Sequence, residues 1–168
     1  MPAYAIRPAR AEDAATVAEI WIKGWADGHL GNVPDELVAV RTPDAFRRRA
    51  GDRVAATTVA VNAAGEIAGF VMVVADEVEQ VYVAATHRGG GVAASLLAEA
   101  ERQVAAGGHD RAWLAVVDGN HRARRFYERC GWSDDGMVTY QAEVAAGTLA
   151  VACHRYGKVV SGTSAVAG

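Results

Sequence analysis

Val78-Glu79-Gln80-Val81-Tyr82-Val83-Ala84-Ala85-Thr86-His87-Arg88-Gly89-Gly90-Gly91-Val92-Ala93 joins a strand-like run, a basic glycine-packed turn and the start of a strongly periodic helix. Such a turn directs several main-chain N–H groups, together with the positive end of the helix dipole, at one point in space. That is the geometry of a phosphate site. Taken alone, a triple glycine marks a tight turn far more often than a ligand site. No Lys-Ser or Lys-Thr follows Gly91, so the turn is not a P-loop. Nor does it carry the G-x-G-x-x-G spacing of a dinucleotide fingerprint.

Outward from this turn the chain reads as a mixture of strands and helices. Upstream, Tyr4 to Pro8 is a first strand. Ala14, Val17, Ala18, Trp21 and Trp25 then recur at helical spacing until Gly28, Gly31 and Pro34 interrupt them and leave an irregular connection. Thr42-Pro43-Asp44 supplies an N-cap, a proline at the first helical position and an acid in the first turn of a short helix to about Ala50. Arg53–Val61 and Glu66–Val74 are β-rich and flank an Asn62-Ala63-Ala64-Gly65 hairpin turn. A third strand runs from Glu77 to Val83. Downstream, the helix from about Gly91 to Ala106 carries the stripe Val92, Leu96, Leu97, Ala100 and Val104 and stops at Gly107-Gly108. Ala112–Val117 is a strand, and Ala123, Phe126, Tyr127 and Cys130 define a short helix closed by Gly131. Strands at 138–144 and 148–156 finish the order β-α-α-β-β-β-α-β-α-β-β.

Composition bounds the function classes. At 168 residues and 51% hydrophobic content the chain can bury a core as one domain. A net charge of −3 offers no basic field for nucleic acid. No apolar run approaches the roughly 20 residues of a membrane helix, and Met1 to Arg7 lacks the apolar core of a secretion signal. Cys130 and Cys153 suggest neither a disulfide framework nor a metal knuckle, and the five histidines show no metal-ligand spacing. The expectation is a cytoplasmic protein without a metal, a nucleic-acid partner or a membrane partner.

Three segments narrow the choice. Arg88-Gly89-Gly90-Gly91-Val92-Ala93 fits the pattern R/Q-x-x-G-x-G/A. Gln80-Val81-Tyr82-Val83 precedes it as an L-Y-V-like strand. Asn120-His121-Arg122-Ala123-Arg124-Arg125-Phe126-Tyr127-Glu128-Arg129-Cys130-Gly131-Trp132 follows it in the form N-x-x-A-x-x-F-Y-x-x-x-G-F. In this order and spacing, from about Ala56 to Trp132, the chain resembles the GNAT superfamily of acyl-CoA-dependent N-acyltransferases. Ala93 stands where a second glycine is commoner, and Trp132 stands where Phe is.

The resemblance implies an α/β (α+β) fold. It would be a single domain over 1–160 with a flexible tail at 161–168, on a mixed, mostly antiparallel sheet splayed at its centre and flanked by helices. It also implies acetyl-CoA as co-substrate. The amides of Gly89, Gly90, Gly91, Val92 and Ala93 would hold the pyrophosphate, with charge added by Arg88. Pantetheine would lie along Val81, Tyr82 and Val83, with Asn120 and Phe126 contributing from the later helix. Val81 and Val83 are equally core-facing valines, and Asn120 is equally an N-cap. Arg124 and Arg125 either reach CoA phosphates or form a solvated basic face. By the same resemblance Tyr127 is the catalytic acid beside the CoA sulfur, a main-chain amide near Val81 is the oxyanion donor, and a homodimer through the C-terminal strands is possible. No covalent intermediate is required, and Cys130 lies in the wrong context for one.

Acyl transfer to an amine also needs a base, because amines are largely protonated at neutral pH. Glu77 and Glu79 project to one face by the period of two, a face that on strict alternation also carries Val81 and Val83. Glu77, Glu79 and water remain the alternatives for the base, and either carboxylate is equally a solvated strand-end acid. His87 reads as a surface turn residue. The acceptor wall is drawn from Trp25, Asp27 and His29 beside the irregular Gly28–Pro34 segment, although Trp21 and Trp25 at i, i+4 also fit a core. The acidic residues favour a small cationic amine as acceptor. The alternatives are a protein lysine or N-terminal amine, a non-catalytic acyl-CoA sensor, and a nucleotide-binding protein.

Overall fold

The computed structural model describes residues 3–161. Seven strands form one sheet in the order β1-β2-β3-β4-β5-β7-β6. They are β1 (Tyr4–Pro8), β2 (Thr57–Asn62), β3 (Ile67–Val74), β4 (Glu77–Val83), β5 (Arg111–Val117), β6 (Ser133–Val144) and β7 (Gly147–Val159). Every neighbouring pair is antiparallel except β4 and β5. The helices are α1 (Ala14–His29), α2 (Asp35–Val40), α3 (Pro43–Asp52), α4 (Val92–Ala106) and α5 (His121–Arg129). The expected tail lies outside the described residues from position 162 onward. Among the described residues no helix is long and apolar enough to cross a membrane.

Two apolar clusters sandwich the sheet. One joins α1, α2 and α3 to β2, β3, β6 and β7. At its heart Trp21 packs edge-on to Phe46 and Phe70, with ring centroids 5.4 and 6.0 Å away. The other joins the stripe of α4 to β3, β4 and β5, with the rings of Phe126 and Tyr127 from α5 at its margin. Both stripes follow from helical spacing in the sequence, and each buries its apolar side chains between a helix and the sheet.

Local chemistry sets the boundaries. Thr42 caps α3 by accepting from the Ala45 N–H at 3.1 Å, with Pro43 next to it. The segment at 53–56 continues from α3 as a tight turn of helix, so β2 begins only at Thr57. α2 occupies part of the connection expected to be irregular. α1 does not stop at Gly28 but runs through it to His29. Gly24 and Gly28 sit one turn apart where a Cβ would collide with the Tyr82 ring and with the Asn120 side-chain amide, respectively. The helix is thereby held close to β4 and to the turn before α5.

That turn is tied to the C-terminal hairpin by His154. Its Nε2 lies 2.7 Å from Asp118 and its Nδ1 lies 2.9 Å from Asp134. The hydrogen bond to Asp118, and secondarily the one to Asp134, raise the His154 pKa above its ordinary 6.5. The charged ring stabilises the fold below the unfolded-state value, and this contribution fades as pH rises through the higher native value. Melting temperature should therefore decline from about pH 6.5 upward in the native chain and should decline less in His154→Gln. Parallel melting curves for the two proteins across that range would contradict the link.

Candidate active site

The sheet opens at its parallel junction. β4 and β5 share the single register pair Glu77↔Trp113, where the Trp113 N–H donates to the Asp76 carbonyl at 3.0 Å and Trp113 Nε1 donates to the Asp76 carboxylate at 3.1 Å. Beyond this pair the strands part. Two cavities of about 450 and 300 Å³ lie along the opening, and both are lined by Val81, Tyr82, Asn120, Ala123 and Tyr127. On the other side of β4, the Ala84 N–H donates to the Ala68 carbonyl at 2.8 Å. Antiparallel alternation then gives the main chain of Tyr82 and Gln80 to β3 and turns that of Val81 and Val83 toward the opening. Unpaired strand backbone of this kind needs a partner.

The larger cavity is bounded by the glycine turn. Gly89 and Gly91 adopt φ of 83° and 80°, a left-handed conformation that side-chain-bearing residues rarely take. Gly91 is the N-cap of α4 and offers no side-chain cap, so the first amides of the helix are left for an outside acceptor. Val92, Ala93 and Ala94 line the cavity at that end. Gly90 is not among the lining residues and faces Tyr4 instead. Arg88 is held by Asp27 at 2.8 Å. Arg122, Phe126 and Arg129 complete the wall from α5. Asn120 caps that helix by accepting from the Ala123 N–H at 3.3 Å.

Tyr127 lies where the cavities meet. Its ring packs against Phe126, Tyr156 and Trp132 at centroid distances of 5.3, 6.1 and 6.3 Å. Among the described residues its hydroxyl has no hydrogen-bond partner. Burial pushes its pKa above the usual phenol range, so it stays protonated.

The smaller cavity is built by α1, α2, α3, β4 and β6. Tyr140 donates to Glu77 Oε2 at 2.7 Å. Burial raises the Glu77 pKa, and the Tyr140 bond opposes that rise. Glu79 makes a 2.7 Å ion pair with Arg53, whose other nitrogen is 2.7 Å from Glu143. Trp25 stacks on His29 at 4.7 Å and 6°, and the ring Nδ1 lies 3.0 Å from the Trp25 carbonyl. A carbonyl only accepts, so Nδ1 carries the proton. Burial depresses the His29 pKa to about 4, which keeps the ring neutral.

Apart from Gly90, the site residues singled out in the sequence gather around these two cavities, with three differences in arrangement. Asp27 does not join Trp25 and His29; it sits on the glycine-turn side, paired with Arg88. Glu77 and Glu79 do not share a face with Val81 and Val83. The register steps from Val73↔Val78 to Met72↔Gln80, which leaves Glu79 as an extra residue and inverts the alternation. Val78, Val81 and Val83 accordingly pack toward α4, whereas Glu77 and Glu79 meet Tyr140 and Arg53 on the opposite side. Arg124 is drawn away from the glycine turn toward Tyr156, Asp118 and Asp134. The sequence reading missed Arg122 and Arg129, although the i, i+4, i+7 line Arg122, Phe126, Arg129 was available to find them. It also missed Tyr140 and the trio Arg41, Arg49 and Arg53, for which no periodic signal exists.

Residues 18–132 match the sequence profile of the acetyltransferase (GNAT) family. The chain belongs to this family. An uncharacterized N-acetyltransferase of Mycobacterium tuberculosis (strain ATCC 25618 / H37Rv) is 32% identical over 82 residues, which is 46% of this chain and 53% of the relative. The chain thus spans about half the length of the curated relatives it matches. Among solved structures, a GCN5-related N-acetyltransferase from Rhodopseudomonas palustris superposes with a TM-score of 0.71 at 22% identity, covering 95% of this chain and 97% of that one. An acetyltransferase from Salmonella typhimurium, solved with its cofactor acetyl-CoA, gives a TM-score of 0.66 at 19% identity over 94% of each chain. These likenesses show the splayed-sheet fold.

The Glu77–Tyr140 pair makes a direct prediction. Tyr140→Phe removes the donor that favours the carboxylate, so the Glu77 pKa should rise further. A carbon-13 NMR titration of the Glu77 carboxyl measures this. An unchanged or lowered value in the variant would refute the pairing.

Proposed function

We propose that this protein transfers the acetyl group of acetyl-CoA to the primary amine of a small molecule by direct attack. The observation that carries the reading is the opening itself: two cavities, one ending at uncapped helix amides and the other at a half-buried carboxylate, meet at an unpartnered phenol. The residues present suit acetyl-CoA. The amides of Gly89, Gly91, Val92 and Ala93 suit a pyrophosphate at the positive end of α4. Arg122 and Arg129 bring further positive charge to the same cavity. The free main chain of Val81 and Val83 suits the amides of a pantetheine arm.

When bound there, acetyl-CoA supplies an activated acyl group as a thioester. Each step of the transfer falls to a residue of this chain. Glu77, whose pKa is raised by burial, is placed to take the proton of the attacking amine, directly or through water. Glu79 is committed to Arg53, which favours Glu77 over it. A main-chain N–H near Val81 donates to the carbonyl oxygen as negative charge develops there. Tyr127, held protonated, meets the departing sulfur as a hydrogen-bond donor rather than a competing anion. The modest size of the second cavity, about 300 Å³, favours a small acceptor over a lysine on a protein surface.

The test is steady-state CoA release over a panel of amines and peptides, with calorimetry of acetyl-CoA binding. Tyr127→Phe should lower kcat by roughly one to two orders of magnitude, toward the low end of what a general acid supplies, and leave acetyl-CoA affinity nearly unchanged. Wild-type turnover in that variant would remove Tyr127 from the mechanism. Failure of acetyl-CoA to bind would remove the whole reading.

A further inference from the structure

The wall of the smaller cavity contributed by α2 and α3 holds an electrostatic imbalance. Three guanidinium groups, those of Arg41, Arg49 and Arg53, line it. Arg53 is satisfied by Glu79 and Glu143, and Glu77 is occupied with Tyr140. Arg41 and Arg49 are different. The Nε of each is fully buried without a hydrogen-bond partner. Among the described residues, no carboxylate pairs with either. Arg49 lies over the Trp21 ring at 4.4 Å, which fixes its plane without supplying an anion. Burial lowers the pKa of both and, with a lesser push from Arg41 and Arg53, brings Arg49 down to about 10.

Both residues are half-buried on the cavity wall with no carboxylate beside them, a costly arrangement that an anion in the cavity would relieve. Arginine's planar fork matches a carboxylate through paired N–H donors, and the match strengthens away from water. His29 adds no charge to the same cavity because it is neutral. Trp25 offers it an apolar surface.

We propose that the acceptor is an amine that also carries a carboxylate, a free amino acid in chemical class, with Arg41 and Arg49 binding the carboxylate. This rests on the acetyl-transfer reading above and specifies its acceptor. It reverses the expectation of a cationic acceptor, because the acid meant to seat that cation, Asp27, is spent on Arg88 in the other cavity. The carboxylate anchors one end of the molecule and leaves its amine to Glu77. The amine nitrogen bonds to the acyl carbon as the carbon–sulfur bond breaks. Of the two protons an ammonium loses on becoming the amide, one ends on the CoA thiol and one passes by way of Glu77 to solvent, leaving the N-acetyl amino acid.

The test compares matched acceptors on the native protein loaded with acetyl-CoA. They are the common α-amino acids and short ω-amino acids, the carboxamide of each, the amine lacking the carboxylate, and lysine-containing peptides. CoA release should be at least about 10-fold more efficient in kcat/KM for a carboxylate than for its carboxamide. Arg41→Gln and Arg49→Gln should each raise KM for that carboxylate about 10- to 100-fold, as expected for lost hydrogen bonds to a charged group. Both should largely keep kcat and should keep acetyl-CoA affinity by calorimetry, which also reports that the variants are folded. Equal or better use of carboxamides, carboxylate-free amines or peptides overturns the proposal. So does a lack of turnover with every carboxylate by protein that binds acetyl-CoA, or an unchanged KM in both folded variants. Absence of acetyl-CoA binding instead overturns the acetyl-transfer reading, and this inference with it.

Discussion

A sheet normally satisfies its interior backbone by pairing every strand on both sides. Here the central parallel pair is joined at one position only, Glu77↔Trp113, and the remainder of β4 faces an opening. The rest of the molecule is arranged around that missing ladder. α1 approaches β4 closely at Gly24 and the turn before α5 at Gly28, α4 starts at the far end of the opening, and α5 lays Tyr127 across its middle. The antiparallel β5–β7 and β6–β7 ladders keep β5 in place although its other edge is nearly free. Backbone without a strand partner is, in energetic terms, affinity held in reserve for a ligand that can hydrogen-bond to it.

Two regions of the opening have opposite requirements. The glycine-turn end presents amides and arginines and suits a phosphate. The far end presents a carboxylate of raised pKa and a set of arginines that is only partly neutralised. The bulge at Glu79 separates the two chemistries. By inverting the alternation of β4 it sends Val81 and Val83 to the α4 side while Glu77 and Glu79 turn toward α1–α3 and β6. Without this extra residue the acids and valines would share one face. The bulge is thus a functional irregularity rather than a defect of the sheet.

Much of this was readable from the chain. The helical stripes of α1 and α4, the Thr42-Pro43 start of α3 and the Asn62–Gly65 turn rest on local periodicity and capping, which act within a few residues. The Arg88–Ala93 turn and the Asn120–Trp132 segment around α5 likewise carry their signal in short spacing. Long-range packing was not legible. Nothing local shows that Asp27 meets Arg88 across 61 positions, that Tyr140 meets Glu77, or that Arg53 gathers Glu79 and Glu143. In β4 the adjacent polar pair Glu79-Gln80 interrupts the alternation between Val78 and Val81, but that break becomes a bulge only once β3 is laid beside it. Gly28 read as a helix stop because its role, close approach to Asn120, lies in a distant segment.

The central claim is that the opening between β4 and β5 is a seat for acetyl-CoA, with its diphosphate on the start of α4. Residue-resolved amide hydrogen exchange, with and without saturating acetyl-CoA, tests this most directly. The account predicts strong slowing at Val81 and Val83 and at Gly89, Gly91, Val92 and Ala93, with little change in β1 or β2. Protection confined to some other surface, or none at these amides under saturation, would contradict it.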